Sequence, residues 1–98
     1  GRGPWELGDD EPVTARVRFD FPLSLWAERN DVGEEVEREA GGAVVRRFQV
    51  RQADPLLRWL QSFGGDAVVT DPPELRRAQA ELGRATAALY ASAAEAHG

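Results

Sequence analysis

Cysteine is absent from the 98-residue chain, and so is methionine. Without cysteine there are no disulfides, no thiolate nucleophile and no zinc–thiolate site, which fits a reducing, cytoplasmic setting. Without methionine the chain does not begin at its own start codon, and it is expected to be a piece of a longer protein. The single histidine, His97, stands next to the C-terminus. It makes no credible general base and cannot anchor a metal cluster. No apolar run approaches the roughly 18 residues needed to span a membrane, and nothing resembles a signal peptide. Lysine is missing too: all twelve basic residues are arginine, which with the abundant alanine and glycine points to a GC-rich genome. Gly64-Gly65-Asp66 lacks the lysine of a phosphate loop, and Ser24, Ser62 and Ser92 have no catalytic partner in view. The chain is therefore read as non-enzymatic, with no cofactor and no metal.

A chain of this length forms one small domain that buries roughly 60 to 65% of its unfolded surface. Its net charge of −5 leaves no global field to draw it onto nucleic acid, although a local basic patch is still allowed. The charge is uneven. Residues 1–12 carry one basic and four acidic side chains, residues 13–63 eight of each, and residues 64–98 three basic and five acidic.

Residues 1–12 hold three glycines and two prolines around Trp5 and Leu7 and read as an interdomain linker. Trp5 either covers the domain's own apolar surface or serves as a docking point. Val13 to Phe19 alternates as a half-buried strand, with Val13, Ala15, Val17 and Phe19 on one face and Thr14, Arg16 and Arg18 on the other. Asp20-Phe21-Pro22 starts a short helix whose face is Leu23, Trp26 and Ala27, ending near Asn30. Glu34 to Glu39 is a charged strand suited to a sheet edge. Gly41-Gly42 turns the chain into a strand from Val44 to Arg51. Asp54-Pro55 reads as cap and first residue of the next helix, with Leu56, Trp59, Leu60 and Phe63 at i, i+3, i+4 and i+7. Gly64-Gly65 ends that helix as an αL cap. Ala67 to Thr70 is a short strand. Asp71-Pro72-Pro73-Glu74 has the form of an N-cap, tolerated prolines and a first-turn carboxylate. The last helix carries Leu75, Ala78, Leu82, Ala85 and Leu89 along one stripe. Gly83 costs it about 1 kcal/mol relative to alanine, and residues 91–98, beyond Tyr90, are expected to fray.

Strand, helix, strand, strand, helix, strand, helix is the ferredoxin-like βαββαβ order with an extra C-terminal helix. The expected fold class is α+β, a four-stranded antiparallel sheet in spatial order 4-1-3-2 with helices on one face. Arg16, Arg18, Arg47 and Arg51 then converge on the uncovered face. Either acidic residues of the second strand or of another domain neutralise them, or they form a basic platform for an anion, nucleic acid or protein partner. Arg46 falls on the covered face, so it snorkels to an edge or meets a carboxylate such as Glu37. Arg76 and Arg77 stand in the first turn of the last helix, where cations oppose the macrodipole. They suit an anion held at that helix start, or Arg77 pairs with Glu81 and Arg76 is solvated.

From about Val13 to Tyr90 the chain resembles the WCX domain, the C-terminal extension of bacterial transcription regulators that contain a WYL domain. The carrying residues are VTARVRF, the hairpin glycines before VVRRFQV, LLRWLQSFG, AVV and PPELRR; Asp71 departs from the larger apolar residue expected before the prolines. The resemblance implies a module that follows a helix-turn-helix DNA-binding domain and a WYL domain. Such a module supports homodimerisation and senses an effector, which for some members is single-stranded nucleic acid. It implies that Arg76 of the ELR motif, and less directly Arg77, is an effector or interdomain contact. The alternative is a stand-alone ferredoxin-like module for small-molecule binding or oligomerisation. A nucleic-acid reader acting alone is disfavoured by the net charge and by the lack of aromatics among the open-face arginines.

Overall fold

A computed structural model describes the backbone of residues 4–97 and the side chains of residues 4–89 and 91. The chain forms β1 (Val13–Phe19), α1 (Leu23–Arg29), β2 (Glu34–Arg38), β3 (Val44–Val50), α2 (Ala53–Gln61), β4 (Ala67–Asp71) and α3 (Pro73–His97), with 3-10 turns at Pro4–Glu6 and Gly64–Asp66. All neighbouring strands are antiparallel, in the order β2-β3-β1-β4. This is the expected 4-1-3-2 read from the other edge.

The period-2 pattern of β1 places Ala15, Val17 and Phe19 on the face that the helices cover, where all three are fully buried. Val44, Phe48 and Val50 of β3 and Ala67 and Val69 of β4 share that core, closed by Leu56, Leu57 and Leu60 of α2 and Ala27 of α1. Leu75, Ala78 and Leu82 of α3 pack against it as expected from their spacing. Burying each large side chain contributes about 1.5–3 kcal/mol. Val13, expected on the same face, is 48% exposed at the first position of β1.

Trp5 belongs to this core. It is 7% exposed, its ring lies 4.7 Å from that of Trp59 and 5.9 Å from that of Phe48, and its carbonyl accepts hydrogen bonds from the Arg51 and Gln52 amides at 2.7 and 3.0 Å. The tryptophan thus covers the domain's own apolar surface.

Several local signals resolve differently from the sequence expectation. Asp54 does not cap α2, which begins one residue earlier after the extended Gln52; Asp54 lies in the first turn, where its charge still favours the macrodipole. Gly64-Gly65 does not terminate α2 directly, because the helix ends at Gln61 and Gly64 adopts its positive φ of 65° within the following 3-10 turn. Asp71 is not the N-cap of α3. Pairing with Arg16 draws it into β4, and the Pro72 carbonyl instead receives the Leu75 and Arg76 amides, both at 3.1 Å. α3 runs on through the alanine-rich stretch to His97, in keeping with alanine's high helix propensity.

Arg46 is 4% exposed on the covered face, opposite Val17. Its partner is not Glu37. The guanidinium reaches the loop between α1 and β2, where it pairs with Asp31 at 3.2 Å and donates to the carbonyls of Val32 and Gly33. That loop needs glycine at position 33, since φ is +65° and a Cβ would lie 2.7 Å from the Arg47 carbonyl oxygen.

Candidate functional site

The uncovered face of the sheet carries one row of charges set by register: Glu34 of β2, Arg47 of β3, Arg16 of β1 and Asp71 of β4 stand side by side. Two arginines directly opposite each other repel, and a flanking carboxylate relieves this. Glu34 does so for Arg47 by an ion pair. Arg18, one pleat further along β1, is held by Asp20 and by Glu39, each at 2.9 Å. The Glu39 hydrogen bond and charge, then the charge of Asp20, raise the Arg18 pKa above its ordinary value. Arg51 lies one residue past β3 and donates to the Asp10 carbonyl. The expected convergence of four arginines thus divides. Arg18 is engaged by Asp20 just after β1 and Glu39 just after β2, Arg47 by Glu34 of β2, Arg51 sits at the end of the sheet, and Arg16 is exposed with no ion pair among the described residues.

Two further arginines without an ion pair lie in the first turn of α3. Arg76 and Arg77 are both exposed and neither makes an ion pair among the described residues; Arg77 does not pair with Glu81. Arg76 stands on the wall of a groove of about 410 Å³ that runs between α3 and the outer side of β4. Gly64, Gly65, Ala67, Val68 and Gly83 make the groove shallow and smooth, and a Cβ added at any of its three glycines would meet nothing. An unpaired guanidinium at an apolar groove offers a planar fork for a carboxylate or phosphate, and the start of the helix adds a positive potential.

Gln79, one turn further on, closes the edge of the sheet. Its side-chain oxygen accepts the Val69 amide at 2.7 Å, and its side-chain nitrogen donates to the Ala67 carbonyl at 2.8 Å. The amide group completes a strand edge that would otherwise invite another chain. Gln79 was missed in the sequence, where the only signal is a polar residue bordering the apolar stripe of Leu75, Ala78 and Leu82. Among the described residues no group of three or more metal-binding side chains is assembled, and no helix is long and apolar enough to cross a membrane.

The sheet order, the hairpin carrying VVRRFQV and the helix start bearing Arg76 all lie within one stretch of sequence similarity: the model of the WCX domain matches residues 11–87. The chain belongs to the WCX domain family. Searches of curated proteins and of solved structures return no match. The WCX match takes in all four strands, α1, α2 and the first part of α3, including Arg16, Arg18, Arg47, Arg51, Arg76 and Arg77; Trp5 precedes it. WCX domains are regulatory C-terminal domains of WYL-type transcription regulators.

Proposed function

We propose that this WCX domain, on a ferredoxin-like scaffold, works in the cytoplasm in a homodimeric WYL-type transcription regulator. It helps to join the two chains and to sense an anionic effector, single-stranded nucleic acid among the candidates, and so governs DNA binding by an upstream helix-turn-helix domain. The observation that carries this is Arg76: it lies inside the family match, is exposed, has no ion pair among the described residues and stands at a groove. A guanidinium in that state has no carboxylate to release before it turns toward a phosphate or carboxylate, whereas Arg18 and Arg47 must first release Glu39, Asp20 or Glu34. Arg77 is a secondary contact on the same helix turn. Arg16, with Arg18 and Arg47 beside it, supplies a surface for the upstream domain or a partner chain.

In the full-length regulator, Arg76→Ala is expected to weaken the effector response of DNA binding while leaving the melting temperature within a few degrees of the parent. Unfolding of the domain in this variant would make Arg76 structural and remove the assignment. An unchanged response in a folded variant would remove it equally.

A further inference from the structure

β4 is one edge of the sheet, and its outward backbone groups at Ala67 and Val69 are taken by a single side chain. The pattern of those bonds is specific. In a parallel ladder one residue donates its N–H to a carbonyl of the neighbouring strand and accepts from the amide two residues further on. Gln79 does both: Nε2 donates to the Ala67 carbonyl at 2.8 Å and Oε1 accepts from the Val69 amide at 2.7 Å. Its carboxamide thus stands where a residue of a parallel strand opposite Val68 would stand. Beside it the groove is lined by Ala67, Val68, Ala80 and three glycines at which an added Cβ would meet nothing, so the space next to the carboxamide is open.

We propose that the β4 edge docks an extended acidic peptide segment of another protein, which runs parallel to β4 and displaces Gln79 from Ala67 and Val69. This rests on the reading of the Arg76 groove as a ligand surface and names the class of ligand. Exchange of the two hydrogen bonds is nearly neutral, because the peptide backbone replaces what Gln79 releases. The gain comes from elsewhere: the peptide covers Val68, which is 39% exposed, and gives the unpaired Arg76 a carboxylate. The direction of the chain sets where that carboxylate lies. α3 runs back along β4, since Gln79 meets Ala67 and Val69 while Gly83, one turn later, shares the groove with Gly64 and Gly65. Arg76 is therefore offset from Gln79 by about 4.5 Å toward the C-terminal end of β4, and the peptide residue after the one opposite Val68 lies about 3.3 Å that way. An aspartate or glutamate there reaches Arg76. A second copy of β4 does not fit this pattern, because a two-fold axis pairs equivalent strands antiparallel.

Titrating the 98-residue chain with the peptide acetyl-Ala-Ala-Val-Glu-Ala-amide, and separately with its lysine counterpart and with hexathymidylate, while following backbone amide chemical shifts tests this. The acidic peptide is expected to give saturable shifts at Ala67, Val69 and Gly83, and the other two none there. Gln79→Ala removes the competitor, so binding should tighten about threefold to tenfold, the range of one net hydrogen bond. A side chain that only supports the fold would leave affinity unchanged or lower it. Arg76→Ala should weaken binding about twofold to fivefold, the range of an exposed ion pair. Gly83→Leu, which fills the groove and raises helix propensity, should remove the shifts in a folded domain. Absence of saturable shifts in the parent and in Gln79→Ala, unchanged or weaker binding in folded Gln79→Ala, full binding in Gly83→Leu, or matching shifts from the lysine peptide or hexathymidylate overturns the inference. If Arg76→Ala loses the effector response of the full-length regulator while no peptide binds, this inference falls and the Arg76 assignment stays; peptide binding with an unaltered effector response does the opposite.

Discussion

The two edges of the sheet treat charge in opposite ways. At the β2 edge every arginine is engaged: Arg38 by Glu28 and Glu35, Arg47 by Glu34, and Arg46 by Asp31 and two loop carbonyls. At the β4 edge the backbone is closed by a neutral amide, Gln79, and the charges nearby are unspent: Arg16, Arg76 and Arg77 on one sign, Glu74 on the other. Charges that are already paired hold the domain together and resist recruitment. Unpaired ones contribute little to stability and remain open to a ligand. The regulatory chemistry is therefore expected at the β4–α3 side and the structural electrostatics at the β2 side.

The largest effect that follows is at Arg46. Arg46→Ala leaves the Val32 and Gly33 carbonyls without their donor and a gap on the covered face, and should cost about 2–3 kcal/mol in denaturant unfolding. Asp31 is 91% exposed and stays hydrated, which keeps the loss below that of a fully buried pair. A loss under about 0.5 kcal/mol would erase the contrast between the edges. Next comes Gln79→Ala, which strips two hydrogen bonds from the β4 edge and should cost about 1–2 kcal/mol. Hydrogen exchange at the Val69 amide should accelerate in that variant, while the amides between β1 and β3 stay protected; uniform acceleration would mean that Gln79 supports the whole fold and not the edge. The smallest is Glu34→Gln. It frees Arg47 at a cost of less than about 1 kcal/mol, measurable as a loss that shrinks with added salt. If binding of an anionic effector tightens in this variant, the engaged and free arginines differ only in their carboxylates, as the contrast requires.

Much of the scaffold is legible from spacing. The alternation from Val13 to Phe19 gives the two faces of β1, and Leu56 with Leu60 gives the buried side of α2, because both depend only on backbone periodicity. Signals at element ends are weaker guides. Asp71-Pro72-Pro73-Glu74 has the pattern of a capped helix, yet strand pairing with Arg16 claims Asp71, a competition between local and long-range bonds that local pattern cannot decide. Arg46 is visible in the sequence as a charge on an apolar face, but its partner depends on how the loop around Asp31 and Gly33 folds back. Arg76 is reachable through the ELR motif, whereas the groove beside it is not, since Gly64, Val68 and Gly83 are brought together only when α3 docks along β4.

By itself the sequence determined the order of strands and helices, the faces that β1 and β3 present to the core and membership of the WCX family, because these rest on periodicity, turn residues and motif. Which charges are spent and which are free was decided only by the tertiary structure. Ion pairing depends on the register of β2 against β3 and on the docking of α3 along β4, and distances of a few ångströms across those contacts separate a structural arginine from one that can still take a ligand.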